Sequence, residues 1–523
     1  MRKLAALTAT AVAVAGTLVA TAPAAQAATV AAWQGDEWLV QSGATKLSRV
    51  AKGAGTDKAD KDDPDDGDAV TGVALTGAGI GVALIDSGVT PVKGLDGPGK
   101  VINGPDLSFE SQAPNLRYLD TFGHGTHMAG IIAGQDPALA GGTRFDGVAP
   151  GAHLVSVKVA SADGASDVSQ VIAGIDWVVA HRKDPGLNIR VLNLSYGTES
   201  VQPAQLDPLA YAVEQAWEAG IVVVVAAGND GFAANRLTMP AADPDIIAVG
   251  GADPRETDAR TDDVVADFSS RGNAERHPDV LAPGRSVVSL TSPGSYLDRT
   301  YPAAKLSLSE DLEQRFLRGS GTSQAAAVVS GSVALLLQQR PKLTPDEVKK
   351  LLMSTADPIA GGDAYAAGAG QINLARAART KKSGGKQNNV AATGLGSLEA
   401  ARAGAYVYDP VTGGPLTGET DIFGNPWNAA AWAKASADQK SWSGGTWNGS
   451  TWTGAAWGAA VAGDETWAPA PWTGRSWSGR SWSGRSWAGA VWTGRSWSAQ
   501  TWSGRSWSGR SWAAAGWTGV PWH

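Results

Sequence analysis

The chain has 523 residues, of which 43% are hydrophobic and 18% charged, with a formal net charge of -7 and no cysteine. That length exceeds one ordinary domain, the composition suits a soluble protein that buries a core, and the mild negative charge argues against a dedicated nucleic-acid binder. Without cysteine there are no disulfides, thiolate metal sites or cysteine nucleophiles, so packing alone must hold the fold.

Residues 1–27 read as a signal peptide: Arg2 and Lys3 precede an apolar run ending in Ala25-Gln26-Ala27, a small-x-small cleavage site. Secretion to the extracellular side is expected, and Thr8, Thr10, Thr17, Thr21 and Pro23 weaken the alternative of a membrane anchor. Residues 28–71 read as a short pro-region or acidic linker, because Asp57–Asp68 holds seven Asp and two Lys around Pro64 and Gly67. A calcium loop there fails at its third position, a ligand position that would be Pro64.

Residues 72–380 alternate aliphatic strands with helical patterns. Gly81–Ile85, Leu154–Val159, Val191–Ser195, Ile221–Ala226, Ile246–Gly250 and Val287–Leu290 are short and apolar, as strands covered on both faces require. Asp167–His181 and Pro208–Ala219 have amphipathic helical spacing, and Thr344-Pro345-Asp346-Glu347 is a capping box with Pro at the first helical position. The fold class is α/β, with a parallel sheet flanked by helices.

Four motifs carry chemistry. Val82–Gly88 is a buried strand delivering Asp86 into a Gly turn, although Asp before Ser-Gly also makes turns with no chemistry. Gly123–Gly130 places His124 and His127 near the start of a helix of small residues; no Glu stands in the zinc-protease arrangement, so one base with a structural neighbour fits better than a metal pair. Val222–Asp230 is a buried strand ending in Asn229, whose amide is either an oxyanion donor or a loop turn. Gly319–Gly331 runs into an apolar helix with Ser323 at its amino end, where unpaired N–H groups and the helix dipole favour an oxyanion. Ser320 lies in the preceding Gly turn and is the weaker nucleophile.

Together these motifs resemble the subtilase family over about 300 residues, in the order Asp, His, Asn, Ser. Val148–Ala152, Phe268–Gly272 and Asp279–Gly284 are similar to segments that frame that family's sheet. The resemblance implies a serine endopeptidase in which Ser323 attacks the scissile carbonyl, His124 moves the proton, Asp86 orients the imidazole, and Asn229 with the Ser323 N–H holds the oxyanion. It also implies a peptide-binding edge at Leu194, Ser195, Tyr196 and Gly197, and a pocket for the residue before the cut at Ala226, Ala227 and Gly228. A peptide or protein is the substrate, the chemistry needs no cofactor, no metal-ligand set stands out, and structural calcium stays open. The sequence departs from the family where Ser323-Gln324-Ala325-Ala326-Ala327 lacks the usual proline, in the shortness of the pro-region, and in having only Asp136 and Asp146 where an Asn-rich calcium loop is expected.

Residues 381–426 read as a linker, opening with Lys381-Lys382-Ser383-Gly384-Gly385-Lys386. From 427 to 523 Trp fills eighteen of the twenty slots spaced five apart, with Ala437 and Ala462 the exceptions. Five residues rotate a helix by about 140° and flip a strand, so Trp lines one face of neither. Gly and Ser favour a loosely ordered tail. Six Arg and no acidic residue after 465 give it a charge of +6, suited to an anionic cell-envelope polymer or membrane surface, with a spacer as the plain alternative. An adhesive protein with a vestigial enzyme domain, or a non-peptidase hydrolase, are the competing readings.

Overall fold

The first aliphatic run becomes strand β1 (Gly81–Asp86), every residue of which is buried. The computed structural model describes residues 75–452, apart from 137–144, 256, 258, 259, 307–313, 360, 382, 383, 409–413 and 444. The signal-peptide and pro-region readings and the repeats after Trp452 lie outside the described residues.

After β1, the main sheet takes β2 (Val101–Asp106), β3 (His153–Lys158), β4 (Ile189–Leu194), β5 (Val222–Ala226), β6 (Ile247–Asp253), β7 (Val264–Val265) and β8 (Val280–Pro283). Their order is β8-β6-β5-β4-β1-β3-β2, with β7 antiparallel on β6 and all other pairs parallel. The chain lays β2 at one edge, inserts β3 between it and β1, and then crosses to β4 to build the other side. Strand order thus reverses between β1 and β4, the place where open α/β sheets open a crevice at their carboxyl ends.

Helices α1 (His124–Ala133), α2 (Val168–His181), α3 (Pro208–Glu218), α4 (Thr322–Gln339) and α5 (Pro345–Thr355) flank the sheet. Helix α4 lies across β4, β5, β6 and β8 and packs on α1, while α2 packs on α3 and β1. Local signals fix their starts: Asp167 and Gln170 form a capping box on α2, Thr344 and Glu347 another on α5, and Asp207 caps α3 with Pro208 at its first position. Each such cap is worth about 1 kcal/mol.

Two readings need correction. Val287–Leu290 is a strand, but it pairs antiparallel with Phe316–Gly319 outside the main sheet; packing against α1 buries it, so an all-apolar run did not require a parallel sheet. Only the start of the 381–426 segment behaves as a linker, since Lys381, Gly384 and Gly385 are exposed. From Gln387, which bonds to Asp346 and the Asp245 carbonyl, onward the chain docks on the domain: α6 (Leu398–Arg402) packs on α2 and α3, and α7 (Ala429–Ala437) on α3.

The first Trp repeats are part of this docked segment and not of a separate tail. Trp432 sits in α7, Trp442 and Trp447 face each other across a two-residue hairpin, and Trp452 follows the next turn. Breaking the segment into helix, hairpin and turn lets a five-residue period converge on one surface, and Gly445 (φ 81°) and Gly449 (φ 84°) supply the left-handed turns. The Trp432 and Trp447 indoles both donate to Asp176 Oδ2 of α2, at 2.9 and 2.8 Å, while Trp442 donates to the Ala173 carbonyl at 2.6 Å and Trp452 to Ser111 Oγ at 2.9 Å.

Candidate active site

Asp86 is the last residue of β1, and its carboxylate accepts the Ser87 N–H at 2.7 Å. Both its oxygens lie 3.0 Å from His124 Nδ1, with each side chain 1% exposed. That geometry presents Nδ1–H to the carboxylate and turns Nε2 away from it. The approach is close: a Cβ on Gly125 would stand 2.1 Å from the Gly88 carbonyl and 3.2 Å from Asp86 Oδ1. Glycine is therefore required where α1 crosses the end of β1.

Asp120 fixes the entry to α1 and had no distinguishing motif in the sequence. Its carboxylate accepts from Gly123 N (2.6 Å), Thr126 N (2.7 Å) and Ser87 Oγ (2.7 Å), and Ser87 Oγ in turn accepts from Gly125 N (3.0 Å). These bonds tie the Asp86 turn to the first turn of the His124 helix. Lys158 was also missed: it stands opposite Asp86 in the β1–β3 register and forms a buried ion pair with Glu110 at 2.5 Å. A lysine in an otherwise apolar strand was the available signal. His127, wholly buried, is held down to about 3 by burial and then by His124, so it is a neutral packing residue.

Ser323 is in the first turn of α4, which packs on α1, the helix that carries His124. It is 1% exposed, and its hydroxyl makes no hydrogen bond in this structure; catalytic hydrogen bonds commonly tighten only when substrate binds. Ser320, by contrast, accepts the Ser286 N–H at 2.8 Å and so serves the turn. Asn229 lies just past β5, where its Oδ1 accepts from Thr322 N (2.9 Å) and Thr322 Oγ1 (3.0 Å). With the oxygen held by the residue before Ser323, the amide N–H₂ is directed elsewhere, as an oxyanion donor requires.

Ser195, Tyr196 and Gly197 follow the end of β4, and Ala226, Ala227 and Gly228 form the end of β5 and the turn after it, beside one another in the sheet. Gly228 has φ 109°, and a Cβ there would meet Ser270 Oγ at 2.7 Å; one on Gly197 would meet Thr238 Oγ1 at 2.4 Å. Both glycines let these turns pack closely on Ser270 and Thr238. Tyr196 is 2% exposed and its phenol is enclosed in the protein.

Asp136 and Asp146, the residues in the place of a calcium loop, sit on a two-residue antiparallel pair. Asp136 is matched by Arg315 at 3.1 Å and Lys93 at 3.3 Å, so protein cations supply its counter-charge. Among the described residues one acidic trio converges, Glu214, Asp243 and Asp245, with ligand atoms within 4.8 Å of one another. Burial and the neighbouring Asp243 raise the Glu214 carboxyl far above its usual range, so this pair holds a proton.

A family model described as the Subtilase family matches residues 77–396. The chain is 39% identical to Serine protease AprX of Bacillus subtilis over 308 residues, covering 58% of this chain and 66% of AprX, just under two thirds. It is 33% identical to Subtilisin DY of Bacillus licheniformis over 60% of this chain and 95% of that protein. Against Minor extracellular protease Epr of Bacillus subtilis it is 31% identical over 53% of this chain and 35% of Epr.

Proposed function

The chain belongs to the subtilase family of serine proteases, and from that premise we propose that it is a secreted endopeptidase working through Asp86, His124 and Ser323. The observation that carries this reading is the two-oxygen grip of Asp86 on His124 Nδ1, which turns Nε2 away as the base, on a helix packed against the one that bears Ser323. Ser323 Oγ attacks the scissile carbonyl carbon as Nε2 takes its proton. The imidazolium, stabilised by Asp86, returns that proton to the leaving amine, and water then repeats the sequence on the acyl-enzyme. The Asn229 amide and the Ser323 backbone N–H hold the oxyanion; losing such a side-chain donor costs roughly 10²–10³ in kcat.

The substrate is a peptide or protein lying along Ser195–Gly197, with the residue before the cut against Ala226–Gly228. Export rests on the pattern of residues 1–27 and accords with the name of Epr. The Arg-bearing repeats after 465 bind an anionic cell-envelope polymer. The repeats up to Trp452 are spent on the protein itself.

Replacing Ser323 with Ala should lower peptide turnover by on the order of 10⁶ and abolish labelling by a fluorophosphonate. Ser320→Ala should keep both, with some loss of stability. Labelling that survives Ser323→Ala would overturn the assignment of the nucleophile.

A further inference from the structure

Arg402 lies beyond the stretch matched by the family model, yet it is fully buried, at 0% exposure. Its guanidinium meets Asp167 through Nε–Oδ2 at 2.6 Å and Nη2–Oδ1 at 3.4 Å, donates from Nη1 to the Gly418 carbonyl at 2.6 Å, and from Nη2 to the Thr420 carbonyl. A buried charge so fully engaged is costly to assemble and strongly destabilising to halve, so its location matters.

That location is the crevice end of the sheet. Asp167 caps α2 through Ser169 N at 2.9 Å, and it terminates the loop that leaves β3 with Val159 N bonded to the Asp86 carbonyl at 2.9 Å. Across from it the Tyr196 phenol, turned inward from the peptide edge, sits in the field of Asp167, Arg402 and Asp207. Asp207, the cap of α3, is braced from the same C-terminal segment: Gln202 Nε2 donates to Asp207 at 3.0 Å and to the Ser397 carbonyl at 2.9 Å. The helix starts on either side of Tyr196 are thus both held by residues 397–402.

We propose that Arg402 is a positioning residue for substrate: through Asp167 it fixes the start of α2 and Tyr196, and so the line of the edge along which an extended peptide is held. This rests on the peptidase reading above. The pocket for the residue before the cut lies on β5, on the side of β4 away from α2, so a substrate confined to that pocket does not touch what Arg402 fixes. A longer peptide running along Ser195–Gly197 does.

The experiment compares two chromogenic anilides with the same residue before the cut, one a single blocked amino acid and one a tetrapeptide, on the full chain with active sites counted by fluorophosphonate titration. In Arg402→Met, kcat/KM for the tetrapeptide should fall roughly tenfold, mainly through KM, the scale of a typical coupling between a remote group and a ligand. The single-residue substrate should change by less than about twofold, since no group touching the reacting atoms is altered. Arg402→Lys should restore part of the difference, because it keeps the charge and loses the fork. The pair Arg402→Met with Asp167→Asn leaves no lone buried charge and keeps a capping side chain, so it should fold and still show the tetrapeptide defect. A folded double variant with the parent's preference for the longer substrate, or equal losses on both substrates, overturns the proposal. Failure of the parent protein to label would instead strike the peptidase reading, and this proposal would fall with it.

Discussion

Two buried carboxylates each anchor a part of this molecule, and they do so with different partners. Asp86 engages an imidazole and the N–H of its own turn, all within the segment that matches the family. Asp176 on α2 accepts the indole N–H of Trp432 and Trp447 and the Ser436 hydroxyl at 2.7 Å, three donors from more than 250 residues away in sequence. The first arrangement is local in chain terms and belongs to the proposed triad; the second is remote and only holds. Both meet the same requirement, that a charge removed from water be surrounded by donors.

If the docked segment is as integral as this contrast implies, cutting it should be far more damaging than cutting the repeats beyond it. A chain ending at 396 loses the burial of Trp432, Trp447, Leu398 and Ile422 together with the Arg402 pair. Each large apolar truncation costs about 2–5 kcal/mol, and the sum exceeds the 5–15 kcal/mol on which a typical domain rests. That chain should not accumulate as folded enzyme. A chain ending at 452 should keep its melting temperature and turnover while losing salt-sensitive retention on anionic envelope material, since all six Arg after 465 are gone. Circular dichroism melts, peptide turnover and envelope co-sedimentation separate these outcomes, and a folded, active 1–396 chain would break the comparison.

A smaller perturbation aims at the anchor itself. Asp176→Ala should orphan two indoles and a hydroxyl, at about 1–3 kcal/mol for each buried donor left unpaired. The melting temperature should drop while kcat on a short peptide stays within about twofold, because Asp176 touches no catalytic group. Asp176→Asn, which keeps an acceptor oxygen, should fall between. A loss of kcat in protein that is still folded would show that the docked segment reaches the triad.

How much of this was legible in the sequence follows the same divide. β1, β3, β4, β5 and β6 were readable because a strand buried on both faces must be aliphatic, α2, α3 and α5 because their caps are Asp or Thr, and the helices bearing His124 and Ser323 from their small or all-apolar residues, since both start at a glycine with no side-chain cap; Asp86, His124, Asn229 and Ser323 stand at the ends of these elements. Asp120 and Lys158 escaped because their importance lies in partners, Gly123 and Thr126 for one and Glu110 for the other, that no local pattern announces. The docked segment was misread for a physical reason. A five-residue Trp period excludes a single regular element, but three short elements joined by left-handed turns satisfy it, and Asp176, the group that collects the indoles, sits unremarked in an amphipathic helix.

The gentlest way to sharpen the comparison is to titrate a second seam between the two regions. Glu214 of α3 is 6% exposed and accepts the Ala392 N–H at 3.0 and 2.8 Å, early in the docked C-terminal segment. Burial first, and then Asp243 and Asp245, push its carboxyl well above the ordinary glutamate range; Arg276 and Lys349 stand near Asp243 but are occupied with Asp279. The native state therefore retains a proton that the unfolded chain has released, and the sign follows: this contribution is fully present below the unfolded glutamate's range and is lost as pH rises through the raised native value. Stability measured by urea unfolding should decline from mildly acidic pH up to about 9. Glu214→Gln, which keeps an acceptor for Ala392 and cannot ionise, should flatten that decline without altering kcat on a short peptide at neutral pH. An unchanged slope in Glu214→Gln would mean that the proton is held elsewhere, and that this seam, unlike the one at Asp176, adds nothing pH-dependent to the docking of the segment.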